Sequence, residues 1–188
     1  MASCGFTASI QSTCDDFIKT GGAKKRFWVG KIEDLDRTQG EGGYDLDVDG
    51  NIEALYFVSY AGLYVFETKK NTTFGGFEMV KGEGPNVFNH MFTTKIFKEN
   101  ATAYGTLKDL SVSEVFIIEE TNSGLFKAFG IDSGLEVQTM TQSDGANQQA
   151  DSSIPLTFQG ADDDLPRFVL DTNYATTLAL LESYELSA

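Results

Sequence analysis

The sequence predicts a mainly β chain, a β-sandwich or barrel with one or two short flanking helices. Three observations predict it: apolar residues recur at period two through most of the chain, Phe, Tyr, Val, Ile and Thr crowd those runs, and turn dipeptides separate them. Composition agrees, because 188 residues at 41% hydrophobic and 22% charged are enough for one core and too apolar for a disordered chain.

Residues 1–23 read as an N-terminal arm. Its start, "MASCGFTASIQSTCDDF", lacks the basic opening and apolar centre of a secretory signal, so the expected place of synthesis and assembly is a cytoplasm. Cys4 and Cys14 read as packing or surface thiols. With one histidine and no CxxC pattern, a zinc site lacks ligands.

The main domain is expected over 24–170. "KKRFWVGK" (Lys24 to Lys31) is the first strand. "NIEALYFVSY" alternates with Ile52, Ala54, Tyr56 and Val58 on one face, Leu55 and Phe57 on the other. "GLYVFETKK", "FEMVK", "SEVFIIEET", "LFKAFGI", "LEVQTMT" and "IPLTFQG" follow. Asp49–Gly50, Gly75–Gly76, Gly82 to Pro85, Asn122 to Gly124 and Asp132 to Gly134 read as turns. Runs such as "ALYFV" and "EVFIIE" are apolar on both faces, as strands inside a sandwich or barrel are.

Asn86 to Asn100 stands apart. An unbroken strand there spans about 50 Å, longer than one compact domain needs, and mixes Phe88, Phe92 and Ile96 with Asn89, His90, Thr93 and Lys95. A long mixed-polarity hairpin invites pairing with other chains, so an assembly hairpin is expected over about 62–99. "NATAYGTLKDL" predicts a helix capped by Asn100, and 171–188 predicts a C-terminal arm or helix around Tyr174, Leu178 and Leu181. Residues 139–153 are Gln, Asn and Ser-rich and read as a polar loop.

A net charge of −14 disfavours nucleic-acid binding by phosphate neutralisation. No run is long and apolar enough to cross a bilayer. No nucleophile elbow, P-loop or metalloprotease motif is present, no catalytic residue, metal ligand or cofactor is assigned, and no enzyme is expected. His90 reads as a hydrogen-bonded surface or interface group, and Asp162–Asp163–Asp164 as a solvated loop. The cluster Lys24, Lys25 and Arg26 is either solvated or paired with a neighbouring subunit.

The stretch "YDLDVDGNIEALYF" places Asp45, Asp47, Asp49, Gly50 and Glu53 at EF-hand positions 1, 3, 5, 6 and 9. Position 12 is Tyr56, which cannot supply the bidentate carboxylate, and Tyr44, Leu46 and Val48 alternate with the aspartates. The pattern reads as the wet face of a strand before an Asp-Gly turn; a calcium-stabilised β-sandwich binding module is the alternative.

Five pieces in order, "CDDFIKTGGAKKRFWV", "DGNI", "YVFETKKNTTFGGFEMVKGEGPNVFNHMFTTKIF", "VFIIEETNSGLFKAFGIDSGLEV" and "SIPLTFQGADDDLPRFV", cover about Cys14 to Val169. Their order resembles the bacteriophage tail tube (major tail) protein family, of the kind found in phages of Bacteroidetes-type bacteria. The resemblance implies a structural virion protein, assembled in the host bacterial cytoplasm, whose small β-sandwich or barrel forms homo-oligomeric hexameric rings stacked into a tube. It implies long hairpins joining a shared inner β-barrel, other phage tail proteins as partners, and DNA passing through the lumen without specific binding. Glu67, Glu78, Glu83 and Glu99, with Lys69, Lys70, Lys81, Lys95 and Lys98, lie on or beside the strands that would line it. The segment "DTNYATTLALLESYELSA" lies beyond the matched pieces and leaves room for another virion component: a tail terminator, a head–tail connector or adaptor, or a capsid decoration protein.

Overall fold

A computed structural model describes residues 23–40, 42–69, 71–81, 87–97, 100–142 and 153–186. Cys4, Cys14, Glu83, Glu99, Lys70, Lys98 and most of the 139–153 stretch lie outside them. Strands β1 (Ala23–Lys31), β2 (Tyr44–Leu46), β3 (Ile52–Leu55), β4 (Tyr64–Glu67), β7 (Val115–Thr121), β8 (Phe126–Phe129) and β11 (Arg167–Val169) form one sheet. Its order is β2-β3-β11-β8-β7-β1-β4. Strands β5 (Phe74–Val80), β6 (Val87–Ile96), β9 (Glu136–Met140) and β10 (Ile154–Asp162) form a second, ordered β5-β6-β10-β9. Helices α1 (Ala101–Leu110) and α2 (Tyr174–Ser183) flank them. The mainly β sandwich with short flanking helices is therefore the observed fold.

The apolar character of β1 and β7 on both faces dictates the layering. Phe27, Val29, Val115 and Ile117 point into a core shared with Phe92, Leu156 and Phe158 of the smaller sheet, closed at its side by Leu107 and Leu110 of α1. Trp28, Phe116 and Ile118 point the other way. They meet Tyr44, Ile52, Leu55, Phe126 and Val169, so the larger sheet curls around a second core, with Leu181 of α2 packed in it. Each of these fully buried side chains contributes about 1.5–3 kcal/mol of transfer free energy. In β3 the strict alternation expected from sequence breaks at Glu53, an extra residue between the Asp45–Ala54 and Leu46–Ile52 pairs. The bulge lets both Ile52 and Leu55 reach the core.

Both helices begin as their sequences require. The Asn100 side chain accepts from the Ala103 N–H at 2.8 Å, and Asn173 forms a reciprocal capping box with Thr176. The Asn100 cap shortens the long strand expected over 86–100 to the ten residues of β6, about 33 Å.

The 62–99 stretch divides between the sheets. β4 pairs with β1 in the larger sheet, and only β5 and β6 form the hairpin. A chain of buried hydroxyls marks the crossing: Thr68 to Thr73 at 3.1 Å and Thr73 to Thr94 at 2.9 Å.

Gly75 and Gly76 lie inside β5 and not in a turn. Gly75 faces inward, where an added Cβ falls 2.3 Å from the Phe129 ring, whereas one on Gly76 meets nothing within 4 Å. Gly75→Ala is therefore expected to lower stability by about 1–3 kcal/mol through overpacking, with Gly76→Ala changing it by less than about 1 kcal/mol. Denaturant melts of the two variants check this; equal effects contradict it.

Candidate assembly surface

Each residue of β6 is assigned a side of the small sheet by the pleat. His90, Phe92, Thr94 and Ile96 face the core and are buried; Asn89, Met91, Thr93 and Lys95 face solvent. Register carries the pattern across: Phe74, Gly76 and Glu78 of β5 sit opposite Thr93, Met91 and Asn89. Thr157 and Gln159 of β10 pair with Thr93 and Met91, and Thr139 and Glu136 of β9 pair with Thr157 and Gln159. The outer face thus mixes Thr93, Thr139, Thr157, Gln159 and Asn89 with the exposed apolar side chains of Phe74, Val80 and Met91. Among the described residues its charges are Glu78, Glu136 and Lys95. Glu67 belongs to the other sheet, on β4.

The β5–β6 hairpin outruns its cover. His90 packs edge-on against Phe129 at 6.0 Å between ring centres. Phe77, opposite His90, and Met79, nearer the turn, occupy the same inward side but are 54% and 52% exposed. Phe77 packs on Phe88, 6.4 Å away, and Val80 is exposed on the opposite side. Among the described residues, strands β5 and β9 have no neighbouring strand on their outer edges. Among the described residues, the apolar hairpin end is uncovered and neither edge carries a further strand.

A polar clasp sits at the hairpin's base. His90 Nδ1 accepts the Gly130 N–H at 3.0 Å, so its proton is on Nε2, which donates to the Asp164 carbonyl at 2.9 Å. Asp162, 3% exposed, lies 3.9 Å from Nδ1 and accepts the Asp163 N–H at 2.8 Å. Arg167 donates to Asp164 at 3.0 Å and lies 3.7 Å from Asp132, while the Tyr44 hydroxyl donates to Asp132. The clasp joins β6, the β8–β9 turn, the end of β10, β11 and β2. Burial lowers the His90 pKa against the opposing pull of Asp162. Burial, and then the charge of Asp132, raise that of Asp162. The Tyr44 hydroxyl is pushed up to about 12 by burial and its bond to Asp132.

His90 is hydrogen-bonded, as the sequence suggests, but it is buried and not on a surface. Asp163 and Asp164 are exposed, as the reading of a solvated loop expects, but Asp162 is corrected: it ends β10 in phase with Ile154, Leu156 and Phe158, a period-two signal that marks an inward side chain.

The remaining candidates find local roles. The Asp47 carboxylate accepts from the N–H groups of Asp49 and Asn51 at 2.8 Å each and from the Asn51 amide at 2.7 Å, holding the turn. These bonds, the Asn51 side chain's first, lower its pKa. Asp45 accepts from Tyr56 at 2.5 Å, so the residue at EF-hand position 12 bonds the residue at position 1. Lys24 pairs with Glu120, and Arg26 with Glu182 and Glu185, which tie β1 to β7 and α2 within one chain. Glu119, buried on β7, accepts the Gly75 N–H at 2.9 Å, and burial raises its pKa. No helix of the described residues is long and apolar enough to cross a membrane.

Protein-family models, curated proteins and solved structures were compared with this chain, and none matches it.

The clasp generates a pH prediction. Because the folded-state pKa of His90 is lowered, the unfolded chain takes up that proton first, near pH 6.5. The stability tied to the neutral imidazole is complete above about pH 6.5 and is lost as pH falls below it. Asp162, with a raised pKa, acts in the opposite direction. Between about pH 7.5 and 5.5 the melting temperature of the wild type should therefore fall more steeply than that of His90→Gln. Parallel pH curves contradict the assignment.

Proposed function

We propose that this chain is a structural virion protein, the subunit of a hexameric ring that stacks into a phage tail tube and conducts DNA. The observation that supports it best is the small sheet, which among the described residues has two edges without a neighbouring strand, few charges on its outer face and an apolar hairpin end that its own core leaves exposed. Each feature has a use in a ring. Edge β5 of one copy pairs with edge β9 of the next, a head-to-tail contact that closes when the rotation is one-sixth of a turn. The exposed Phe77 and Met79 then bury against the neighbour.

Six four-stranded sheets give a barrel of 24 strands. At about 4.8 Å between strands and a tilt of up to about 45°, its backbone diameter is about 40–50 Å. The outer face of the small sheet would line the channel. Six copies carry 6 × −14 = −84 formal charges, yet this face carries few of them among the described residues. A channel wall of mostly uncharged groups, polar and apolar, offers phosphates neither ion pairs nor strong local repulsion, and the remaining acids act through a field screened within about 8 Å. The channel wall would then be largely uncharged in an acidic particle. The same open edges would also serve a single ring that does not stack, as in a tail terminator or connector.

Phe77→Glu/Met79→Glu places charges on side chains already exposed in the single chain, so folding and melting temperature should stay within about 0.5 kcal/mol of wild type. Sedimentation velocity over a concentration series should show rings or larger assemblies for wild type and monomer for the variant. Wild type that stays monomeric throughout, or a variant that assembles equally well, overturns the reading.

A further inference from the structure

The larger sheet carries an open edge as well. β4 ends the larger sheet. Its alternation turns the main-chain groups of Tyr64, Phe66 and Thr68 toward β1, as the 2.7 Å bond from Thr68 N–H to the Lys25 carbonyl shows. Those of Leu63, Val65 and Glu67 point outward. Leu63 is taken: its N–H donates to the Tyr184 carbonyl at 2.8 Å, and its carbonyl accepts from Leu186 N–H at 3.0 Å. No strand of the described residues lies beside Val65 and Glu67. Between this edge and α1 runs an apolar groove of about 550 Å³, lined among others by Val65, Phe66, Ile96, Ala103, Leu107 and Leu186.

We propose that this groove is the seat of the chain's own N-terminal segment, with the stretch from Cys14 to Lys19 laid along β4 as an added strand. Three observations choose that occupant. The first is position: β1 begins at Ala23, and Lys25 sits against Thr68, next to Glu67 at one end of the groove. The second is length. Twenty-two residues precede β1, and the six-residue step from Ala23 back to Phe17 reaches about 20 Å, more than the length of β4. The third is chemistry. Phe17 and Ile18 are an apolar pair in a polar stretch, followed by Gly21–Gly22, which accept the backbone reversal needed to cross the end of β4. A strand added there satisfies the outward N–H and C=O groups of Val65 and Glu67 and buries its apolar side chains in the groove. This proposal does not depend on ring assembly.

Cys4 and Cys14 are the chain's only cysteines, which makes the test direct. In the full chain carrying Cys4→Ser, a second cysteine is placed either in the groove, by Thr106→Cys, or on the fully exposed Val48 turn, by Val48→Cys. Mild oxidation in dilute solution should join Cys14 to the groove position within one chain about tenfold faster than to the turn position. Equal rates, or a bond that forms only between two chains, overturn the proposal. In parallel, Phe17→Ser/Ile18→Ser in the full chain should lower hydrogen-exchange protection of the Val65 and Glu67 amides about tenfold and leave that of Phe129 unchanged. Unchanged protection at Val65 and Glu67 overturns it as well.

Discussion

Everything in this fold depends on a sheet buried on both faces. Strands β1 and β7 carry Phe27, Val29, Val115 and Ile117 to one side and Trp28, Phe116 and Ile118 to the other. Two strands that must be dry on both sides need two covering layers. The small sheet with α1 supplies one, and the curled ends of the large sheet with α2 supply the other. Lys24 and Arg26, on the same β1 strand, fix the second layer by pairing with Glu120, Glu182 and Glu185. Once the small sheet has covered the large one, none of the described residues packs over its outer face or the far end of its hairpin. The surface proposed for assembly follows from that geometry.

The clasp around His90 sets where the covered part of the hairpin ends. Its imidazole has one nitrogen accepting from Gly130 and the other donating to Asp164, so the ring is held neutral and both nitrogens are used. Asp162, Asp132, Arg167 and Tyr44 surround it with charges and hydrogen bonds. A buried network of this kind is costly when any member loses its partner. It pins the β8–β9 turn and the end of β10 to the base of β6, and the hairpin beyond is free of that constraint.

Much of this was legible in the sequence. The period-two runs, the doubly apolar "EVFIIE", the cap at Asn100 and the apolar spacing around Tyr174, Leu178 and Leu181 gave the fold class and both helices, because patterning and capping act locally. Glycine was misread where its reason is tertiary. "FGGF" looks like a turn, but Gly75 is small because the Phe129 ring, more than fifty residues away in sequence, occupies its side-chain space. The split of residues 62–99 between two sheets depends on β4 finding β1, a long-range pairing that no local pattern announces. Asp162 was readable in retrospect, since it continues the inward phase of β10, but its triple-aspartate setting masked the phase.

The central claim is that the small sheet is one-sixth of a closed barrel. Electron cryomicroscopy of the purified protein at high concentration tests it most directly. Stacked six-fold rings are expected, their channel walled by β5, β6, β9 and β10, with β5 of each copy beside β9 of the next. Particles that remain monomeric, or rings whose channel is lined by the larger sheet, would contradict it.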